Sequence, residues 1–178
     1  MPTPQRQIDE LRDEVTALRA EVRALTDRAA IAELIDRFSR DLDEYTAEGK
    51  AFDATWVRSY FTEDADVAYP PGSATGAEAI ATLIGGTGMA PFRRAHHVTT
   101  NYVLRLQGDR ATVRFNLVAT HVRHDGDLFT VGDVYRGDLA RTPGGWRFAR
   151  QDLDVTWTDG PPPGPTDRAP QDADVTPP

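Results

Sequence analysis

The sequence predicts an α+β fold, in which a strongly curved antiparallel sheet wraps against three helices with a cavity between them. Two observations predict this class. Apolar residues recur every three or four positions through most of the first half of the chain, which is typical of amphipathic helices. From residue 98 onward the period changes to two, and tight turns separate four long alternating runs. Strands joined by tight turns form an antiparallel meander, and helices against one face complete the α+β class.

The composition indicates one globular domain with appendages. The chain has 178 residues and a formal net charge of -8, which disfavours nucleic-acid binding because such proteins need a basic surface. The absence of cysteine excludes disulfides and thiol chemistry. No apolar run approaches the length of a membrane span, and the charged N-terminus is unlike a signal peptide. We therefore expect a cytoplasmic protein that binds neither nucleic acid nor membrane.

The first predicted helix carries a heptad pattern. Its a and d positions are Ile8, Leu11, Val15, Leu18, Val22, Leu25 and Ala29. Mostly β-branched residues at a and leucine at every d favour a parallel two-stranded coiled coil. In such a dimer Glu14 at position g would pair with Arg19 at the following e position of the partner. Residues 1–28 are thus predicted to form the coiled coil of a homodimer or higher homo-oligomer; the alternative is a helix that folds back on its own domain.

The helical pattern then widens, which indicates that the same helix enters a globular core spanning residues 29–158. The helix is expected to end between Asp43 and Gly49. The next predicted elements are a helix over 51–61, a short strand over 65–69 and a helix over 76–83. The glycine-rich stretch 85–91 is predicted to be a mobile loop that covers a pocket.

Four long strands are predicted to complete the domain, over residues 98–106, 111–122, 128–139 and 146–157. The proline-rich residues 159–178 lack any periodicity and are predicted to be a disordered tail.

The adjacent pair His96 and His97 stands out, because the chain has only four histidines. Neighbouring residues of a strand point to opposite faces, so at most one of the two can face a pocket. For the same reason they cannot chelate one ion together, and no metal site is expected. Asp41 and Asp43, near the end of the first core helix, are the candidate carboxylates. They cannot share one helical face, and the pattern alone leaves the choice between them open.

Further candidates follow from position on the strands and from aromatic character. On the strand 111–122, His121 shares the parity of the apolar residues and is expected to point into the core or the pocket mouth. Aromatic residues that would line an apolar cavity, unless they are plain core, are Tyr45, Trp56, Tyr69, Phe92, Tyr135 and Trp157.

The order and spacing of several segments resemble the SnoaL-like branch of the nuclear transport factor 2 superfamily. The resemblance covers about residues 29–159 and is closest to the group of hexachlorocyclohexane dehydrochlorinase, scytalone dehydratase and bile-acid dehydratases. The segments that carry it are Leu42-Asp43, Tyr60-Phe61-Thr62-Glu63-Asp64-Ala65, Gly76-Ala77-Glu78-Ala79-Ile80, His97-Val98-Thr99-Thr100-Asn101 and Trp146-Arg147-Phe148.

The resemblance implies a cofactor-independent enzyme with an Asp/His pair in a cone-shaped cavity. It selects Asp43 as the orienting carboxylate and His97 as the base, and it implies that His121 donates a proton to the leaving group. A carboxylate that holds one ring nitrogen fixes the tautomer and makes the other nitrogen a better base. The implied reactions are dehydration, isomerisation or cyclisation of a hydrophobic small molecule, in natural-product biosynthesis or degradation. The alternatives are a non-catalytic binding or dimerisation module and a cyclase that acts by pocket shape alone.

Overall fold

The computed structural model describes residues 3–70 and 72–164, and it has the predicted α+β architecture. A curved six-stranded sheet has the order β2-β1-β6-β5-β4-β3, and all neighbouring strands are antiparallel except the parallel pair β1 and β6. The helices are α1 (Pro4–Glu48), α2 (Ala54–Arg58) and α3 (Ala77–Leu83). The strands are β1 (Phe61–Tyr69), β2 (Gly72–Thr75), β3 (Phe92–Gln107), β4 (Arg110–Arg123), β5 (Leu128–Thr142) and β6 (Gly145–Asp159).

Helix α1 is continuous over 45 residues, with no break between the heptad segment and the core segment. Thr3 caps its N-terminus by accepting a hydrogen bond from the backbone N–H of Arg6, and Pro4 occupies the first turn. Gly49 ends the helix in the left-handed conformation, where a glycine carries no steric penalty. No helix within residues 3–70 and 72–164 is both long and apolar enough to cross a membrane.

Asp27 is the first buried residue of α1 and fastens the helix to the sheet. Its carboxylate accepts a hydrogen bond from Arg141 Nη2 at 2.5 Å and another from Trp146 Nε1 at 3.2 Å. The Arg141 hydrogen bond lowers the pKa of Asp27. Arg28 adds a bond from Nη1 to the carbonyl oxygen of Leu104 at 3.1 Å. Residues 27 and 28 therefore belong to the barrel. The projecting part of the helix, residues 4–26, touches the barrel through an exposed 3.3 Å contact of Arg23 Nη2 with Asp109 Oδ1.

The second half of α1 packs its apolar stripe against the inner face of the sheet. This stripe recurs at helical spacing, as the sequence predicts, and is covered by aromatic residues of α2, β1, β4 and β6. Its members are Ile31, Leu34, Ile35, Phe38 and Leu42, and the residues that cover it include Trp56, Phe61, Phe115 and Phe148.

Strand β3 is bent by a bulge that aligns it with α1. The register with β4 shifts between Thr100 and Val103, and Asn101 has a φ of 57°. Asparagine tolerates this left-handed conformation better than most residues. The bulge brings the hydroxyls of Thr99 and Tyr102 to Asp36 of α1, with Thr99 Oγ1 at 3.0 Å from Asp36 Oδ1. One side of β3 is thus tied to the helix that carries Asp43.

Several predicted boundaries were wrong. Strand β3 begins at Phe92, so the histidine pair lies inside a strand and not at its start. The second helix has only five residues, and the short strand β2 was not predicted. The stretch 85–91 was predicted as a mobile loop, but its first part is a π-helical turn, Ile84–Gly88, that continues α3. Met89 closes this turn through a 2.8 Å hydrogen bond from its N–H to the carbonyl oxygen of Ile84.

Asp159, predicted to begin the disordered tail, belongs to β6, and residues 165–178 of that tail lie outside the described residues. Gly160 turns the chain at a φ of 85°, and a Cβ there would lie 2.4 Å from the carbonyl oxygen of Leu128. Arg123 Nη1 then donates a 3.4 Å hydrogen bond to the carbonyl oxygen of Pro161. This close approach, possible only without a side chain at residue 160, leads residues 162–164 to the mouth of the cavity.

The Asp27 contact yields a stability prediction. Asp27→Asn is expected to lower the free energy of unfolding by about 2 kcal/mol at neutral pH, because Arg141 loses a charged partner in a buried site. The folded-state pKa of Asp27 is lowered, so this contribution is present above the ordinary aspartate pKa and is lost as the pH falls through the folded value. Urea denaturation of both proteins at neutral and acidic pH measures it. Asp9→Asn, at an exposed position of the same helix, is the control; equal losses in both variants would contradict the anchor.

Candidate active site

A cavity of about 580 Å³ lies between α1, the π-helical turn and the inner face of the sheet. This volume suits a small organic ligand. Most of the wall is apolar, with Leu42, Met89, Leu117 and Val131 among its members. The polar side chains on this wall are few, and they include two imidazoles and one carboxyl, those of His97, His121 and Asp133.

Asp43 and His97 are paired at the wall of this cavity. Asp43 Oδ1 lies 2.6 Å from His97 Nδ1, and Asp43 Oδ2 accepts a hydrogen bond from the backbone N–H of His97 at 3.1 Å. The carboxylate therefore holds both the ring and the backbone of one residue. The His97 side chain is only 5% exposed, and Asp43 lies behind it, away from the cavity. With Nδ1 engaged by Asp43, Nε2 is the ring nitrogen that remains for a ligand.

The structure separates the candidates that the pattern left open. Asp41 accepts a hydrogen bond from the hydroxyl of Tyr60, on another flank of α1 from Asp43. The His96 side chain points out of the sheet and is 79% exposed, as strand alternation requires when His97 faces inward. His96 Nδ1 still lies 3.8 Å from Asp43 Oδ2, at the rim of the site.

His121 is buried beside His97 and faces the cavity. Its ring stacks on Phe92, with centroids 4.3 Å apart, and meets the His97 ring edge to face at 5.3 Å. His121 Nδ1 has no hydrogen-bond partner among the described residues. Burial, reinforced by the neighbouring His97, lowers the pKa of His121 to about 4. The ring is therefore neutral at physiological pH.

Three of the six aromatic residues predicted to line the cavity do so, namely Tyr69, Phe92 and Tyr135. The prediction was wrong for Tyr45, Trp56 and Trp157. Tyr45 and Trp56 pack against each other, 5.8 Å between centroids, in an aromatic cluster behind the cavity wall, where Trp56 contacts the lining residue Phe38. Trp157 lies on the outer face, where it covers Gly132 so closely that a Cβ at that glycine would lie 2.2 Å from the indole. It is 48% exposed.

Sequence reasoning missed Asp133, a carboxyl that lines the cavity and is only 5% exposed. Its Oδ1 has no hydrogen-bond partner in the described part of the chain. Burial raises the pKa of Asp133 to about 7, with a further contribution from Asp154. The signal was available: on β5, Phe129, Val131, Asp133 and Tyr135 share one parity, which is the argument that placed His121 inward.

A profile of the SnoaL-like domain matches residues 23–152 of the chain. The chain belongs to the SnoaL-like family. This confirms the resemblance of the sequence and places the cavity in a fold shared with dehydratases and dehydrochlorinases, although the family also has non-catalytic members. No curated protein matches the chain.

Solved structures agree with the SnoaL-like assignment. A scytalone dehydratase-like protein from Novosphingobium aromaticivorans DSM 12444 is 26% identical with a TM-score of 0.65, and the match covers 82% of this chain and 97% of that one. An NTF2-like protein with a cystatin-like fold from Novosphingobium aromaticivorans is 28% identical, with a TM-score of 0.65 and coverage of 79% and 89%. Hexachlorocyclohexane dehydrochlorinase from Novosphingobium barchaimii LL02 shares the fold at 18% identity, with a TM-score of 0.67 and coverage of 78% and 92%.

The polar groups of this SnoaL-like domain suit proton transfer. Within the described ranges, no three histidine, aspartate or glutamate side chains come together to hold a metal ion. The site instead offers an imidazole held by a carboxylate, a second imidazole and a buried carboxyl. In an apolar cavity such groups act on a ligand with little competition from water.

The burial of His121 yields a prediction for solution. The ring resonances of His121 are expected to titrate at about pH 4, because charging the ring in the apolar wall is costly. NMR spectra of the ring protons, recorded from neutral pH downward, measure this. His121→Gln assigns the resonance, and a midpoint near the ordinary histidine value would show that the ring is solvated.

Proposed function

We propose that this protein is a cofactor-independent acid/base enzyme that removes a carbon-bound proton from a hydrophobic small molecule. The observation that supports this most is the 2.6 Å contact of Asp43 Oδ1 with His97 Nδ1 at the wall of an apolar cavity. A binding cavity alone has no need of a largely buried carboxylate and imidazole pair, which is costly to desolvate. The reaction classes are dehydration, other eliminations, double-bond isomerisation and cyclisation.

His97 acts as the base in this proposal. The neutral ring donates its Nδ1 hydrogen to Asp43, and its Nε2 lone pair takes the proton from carbon. The electron pair of the broken C–H bond then forms a double bond, either by expelling a leaving group or by shifting an existing double bond. Asp43 stabilises the imidazolium that forms and keeps the ring in one orientation.

His121 is placed to assist the departing group. Its edge-to-face contact puts the second imidazole directly beside the base, with the two ring centroids 5.3 Å apart. Because the ring is neutral above about pH 4, it contributes a hydrogen bond to the leaving oxygen and does not supply a proton as an imidazolium. The leaving group instead receives the proton that His97 has taken.

The proposed substrate is apolar and small, and Tyr69, Phe92 and Tyr135 form part of its binding surface. A compound of a few fused rings would fill the cavity, given its volume of about 580 Å³. Natural-product biosynthesis or the degradation of hydrophobic compounds supplies such molecules.

The proton-transfer step can be tested with 5-nitrobenzisoxazole, a chromogenic compound that loses its ring proton to a base and opens to a cyanophenolate. His97→Gln is expected to lower the rate of this elimination by about 100-fold or more, because general base catalysis by a positioned side chain contributes at least that much. His96→Gln is the matched control: the exposed ring of His96 makes only a 3.8 Å contact with Asp43, so its loss should change the rate far less than His97→Gln does.

Asp43→Asn is expected to lower the same rate by about 10- to 100-fold, since the amide cannot stabilise the imidazolium. Circular dichroism establishes that each variant is folded. If 5-nitrobenzisoxazole binds but the wild-type rate is no higher than that of His97→Gln, the proposal is contradicted. The cavity would then belong to a non-catalytic binding module.

We also propose that the projecting part of α1 forms a parallel coiled coil with a second copy of the chain. The apolar side chains at positions a and d of residues 4–26 are between 43% and 61% exposed. They are Ile8, Leu11, Val15, Leu18, Val22 and Leu25. An exposed apolar seam of this length is typical of an interface. A second copy satisfies it with the same residues and pairs Glu14 with Arg19.

The seam can be broken without touching the barrel. Leu18→Glu is expected to halve the mass measured by sedimentation, because a charge at position d opposes its own copy in the partner. Glu14→Arg alone should weaken the dimer, and Glu14→Arg combined with Arg19→Glu should restore it. A mass of one chain for the wild type, or equal behaviour of the single and double charge variants, would contradict the parallel pairing.

A further inference from the structure

We propose that Asp133 is a neutral carboxylic acid that donates a hydrogen bond to a carbonyl oxygen of the bound molecule, so that the cavity selects ketones and enones whose acidic C–H faces His97. This inference rests on the proposed function for its reaction. Its test measures binding and does not depend on turnover.

The first support is the environment of the carboxyl. Asp133 is 5% exposed and lines the cavity, and its Oδ1 has no hydrogen-bond partner among residues 3–70 and 72–164. An ionised carboxylate in such a site would be strongly disfavoured, whereas the protonated form presents a donor to the cavity. Buried polar groups are normally paired, so an unpaired one on a cavity wall points to a ligand that pairs with it.

Burial and one neighbouring charge favour the neutral form of Asp133. Asp154 of β6 adds a negative charge, although its own carboxylate also pairs with Arg136 at 3.6 Å. Tyr135, on the same strand, also faces the cavity, and the Tyr69 hydroxyl of β1 donates to Gln151 and not to Asp133. The parts of α1 and the π-helical turn that line the cavity contribute apolar side chains and the Thr87 hydroxyl. His97 and His121 are the remaining titratable groups on the wall.

The sheet register places Asp133 across the cavity from the base. His97 pairs with Ala119, and Ala119 pairs with Val131, so these residues form one row over β3, β4 and β5. Asp133 lies one inward position further along β5. Two strand spacings and one such step separate the Cα atoms of His97 and Asp133 by roughly 12 Å. The inward curvature of the sheet brings the side chains closer together, to about the span of a small ring system.

The two groups can then work on one substrate. His97 Nε2 takes a proton from carbon, the C–H electron pair shifts toward the carbonyl, and negative charge develops on the carbonyl oxygen. Asp133 donates its hydrogen bond to that oxygen, which gains strength as the charge grows. When the electron pair returns, it expels the leaving group, or a different carbon takes back the proton from His97. Asp133 ends each cycle with the proton it began with.

The test uses 1-indanone and indane, two bicyclic compounds of similar shape that differ by the carbonyl. Asp133→Leu is expected to weaken binding of 1-indanone about 10-fold, the value of one hydrogen bond, and to leave binding of indane unchanged. Asp133→Asn keeps a donor and should stay within about 3-fold of the wild type. The infrared carbonyl stretch of bound 1-indanone should shift to lower frequency in the wild type and the asparagine variant and not in the leucine variant.

The pH dependence supplies a second readout. Raising the pH through about 7 removes the Asp133 proton, so wild-type affinity for 1-indanone should fall about 10-fold while Asp133→Asn stays constant. Equal effects of Asp133→Leu on both compounds, or stronger 1-indanone binding at high pH, would overturn the proposal. A failure of the base appears in the 5-nitrobenzisoxazole rate, whereas a failure of Asp133 appears in the ratio of 1-indanone to indane affinity, so the two give different results.

Folding of the variants is checked in the same pH range. The folded-state pKa of Asp133 is raised above its unfolded value, so its contribution to stability is fully present below about pH 4 and is lost as the pH rises to about 7. Asp133→Asn should therefore be more resistant to urea than the wild type at high pH, with a smaller difference at acidic pH. A variant that is less stable than the wild type at high pH, with the difference lost at acidic pH, would show that the carboxyl is ionised and held by the fold.

Discussion

The contact of Asp43 with His97 determines how the helix layer and the sheet fit together at the site. One carboxylate accepts hydrogen bonds from the ring and from the backbone of the same residue, so it fixes the position of β3 and the orientation of the imidazole in one step. The second attachment of β3, through Thr99 and Tyr102 to Asp36, lies two helical turns earlier on α1. Two attachments prevent the strand from sliding along the helix, so the ring of His97 is held in one position at the cavity wall.

The polar groups of the cavity differ in how they are satisfied, and this difference sorts them into roles. The carboxylate of Asp43 is paired with His97 and lies behind the wall, so it is not available to a ligand. His121 and Asp133 each keep a buried atom without a partner among the described residues. Burial shifts their pKa values in opposite directions, and both shifts produce a neutral group at moderate pH. Between about pH 4 and pH 7 the wall therefore presents an uncharged imidazole at His121 and an uncharged carboxyl at Asp133.

The fold class could be predicted from the sequence because it depends on local periodicity. The pair of Asp43 and His97 could be predicted because the order of the surrounding segments resembles a known family. The rest depended on exceptions to alternation. Trp157 shares the parity of Val155, which lines the cavity, but a register shift between the pairs Gly132–Trp157 and Asp133–Val155 turns Trp157 outward. Asp133 follows the parity of its strand and was missed because an aspartate is easily assigned to the surface. The π-helical turn was missed because glycine signals a loop in general, whereas here Met89 closes a hydrogen bond that extends α3. The turn of the tail depends on a backbone contact at Gly160 that no pattern encodes.

The continuity of α1 joins the proposed interface to the proposed site. The same helix carries the exposed heptad seam, the Asp27 anchor and the Asp43 carboxylate, with no glycine, proline or cap between Pro4 and Glu48 to let one part move independently. The anchor pairs the helix with Arg141 of β5 and Trp146 of β6, at the opposite end of the core segment from Asp43. A second copy docked on the seam would therefore contact one continuous helix that is attached to the sheet at both ends of its core segment. Because the cavity is lined from Phe38 onward, a second copy on residues 4–26 of this helix would contact a segment that is separate from the residues of the cavity wall.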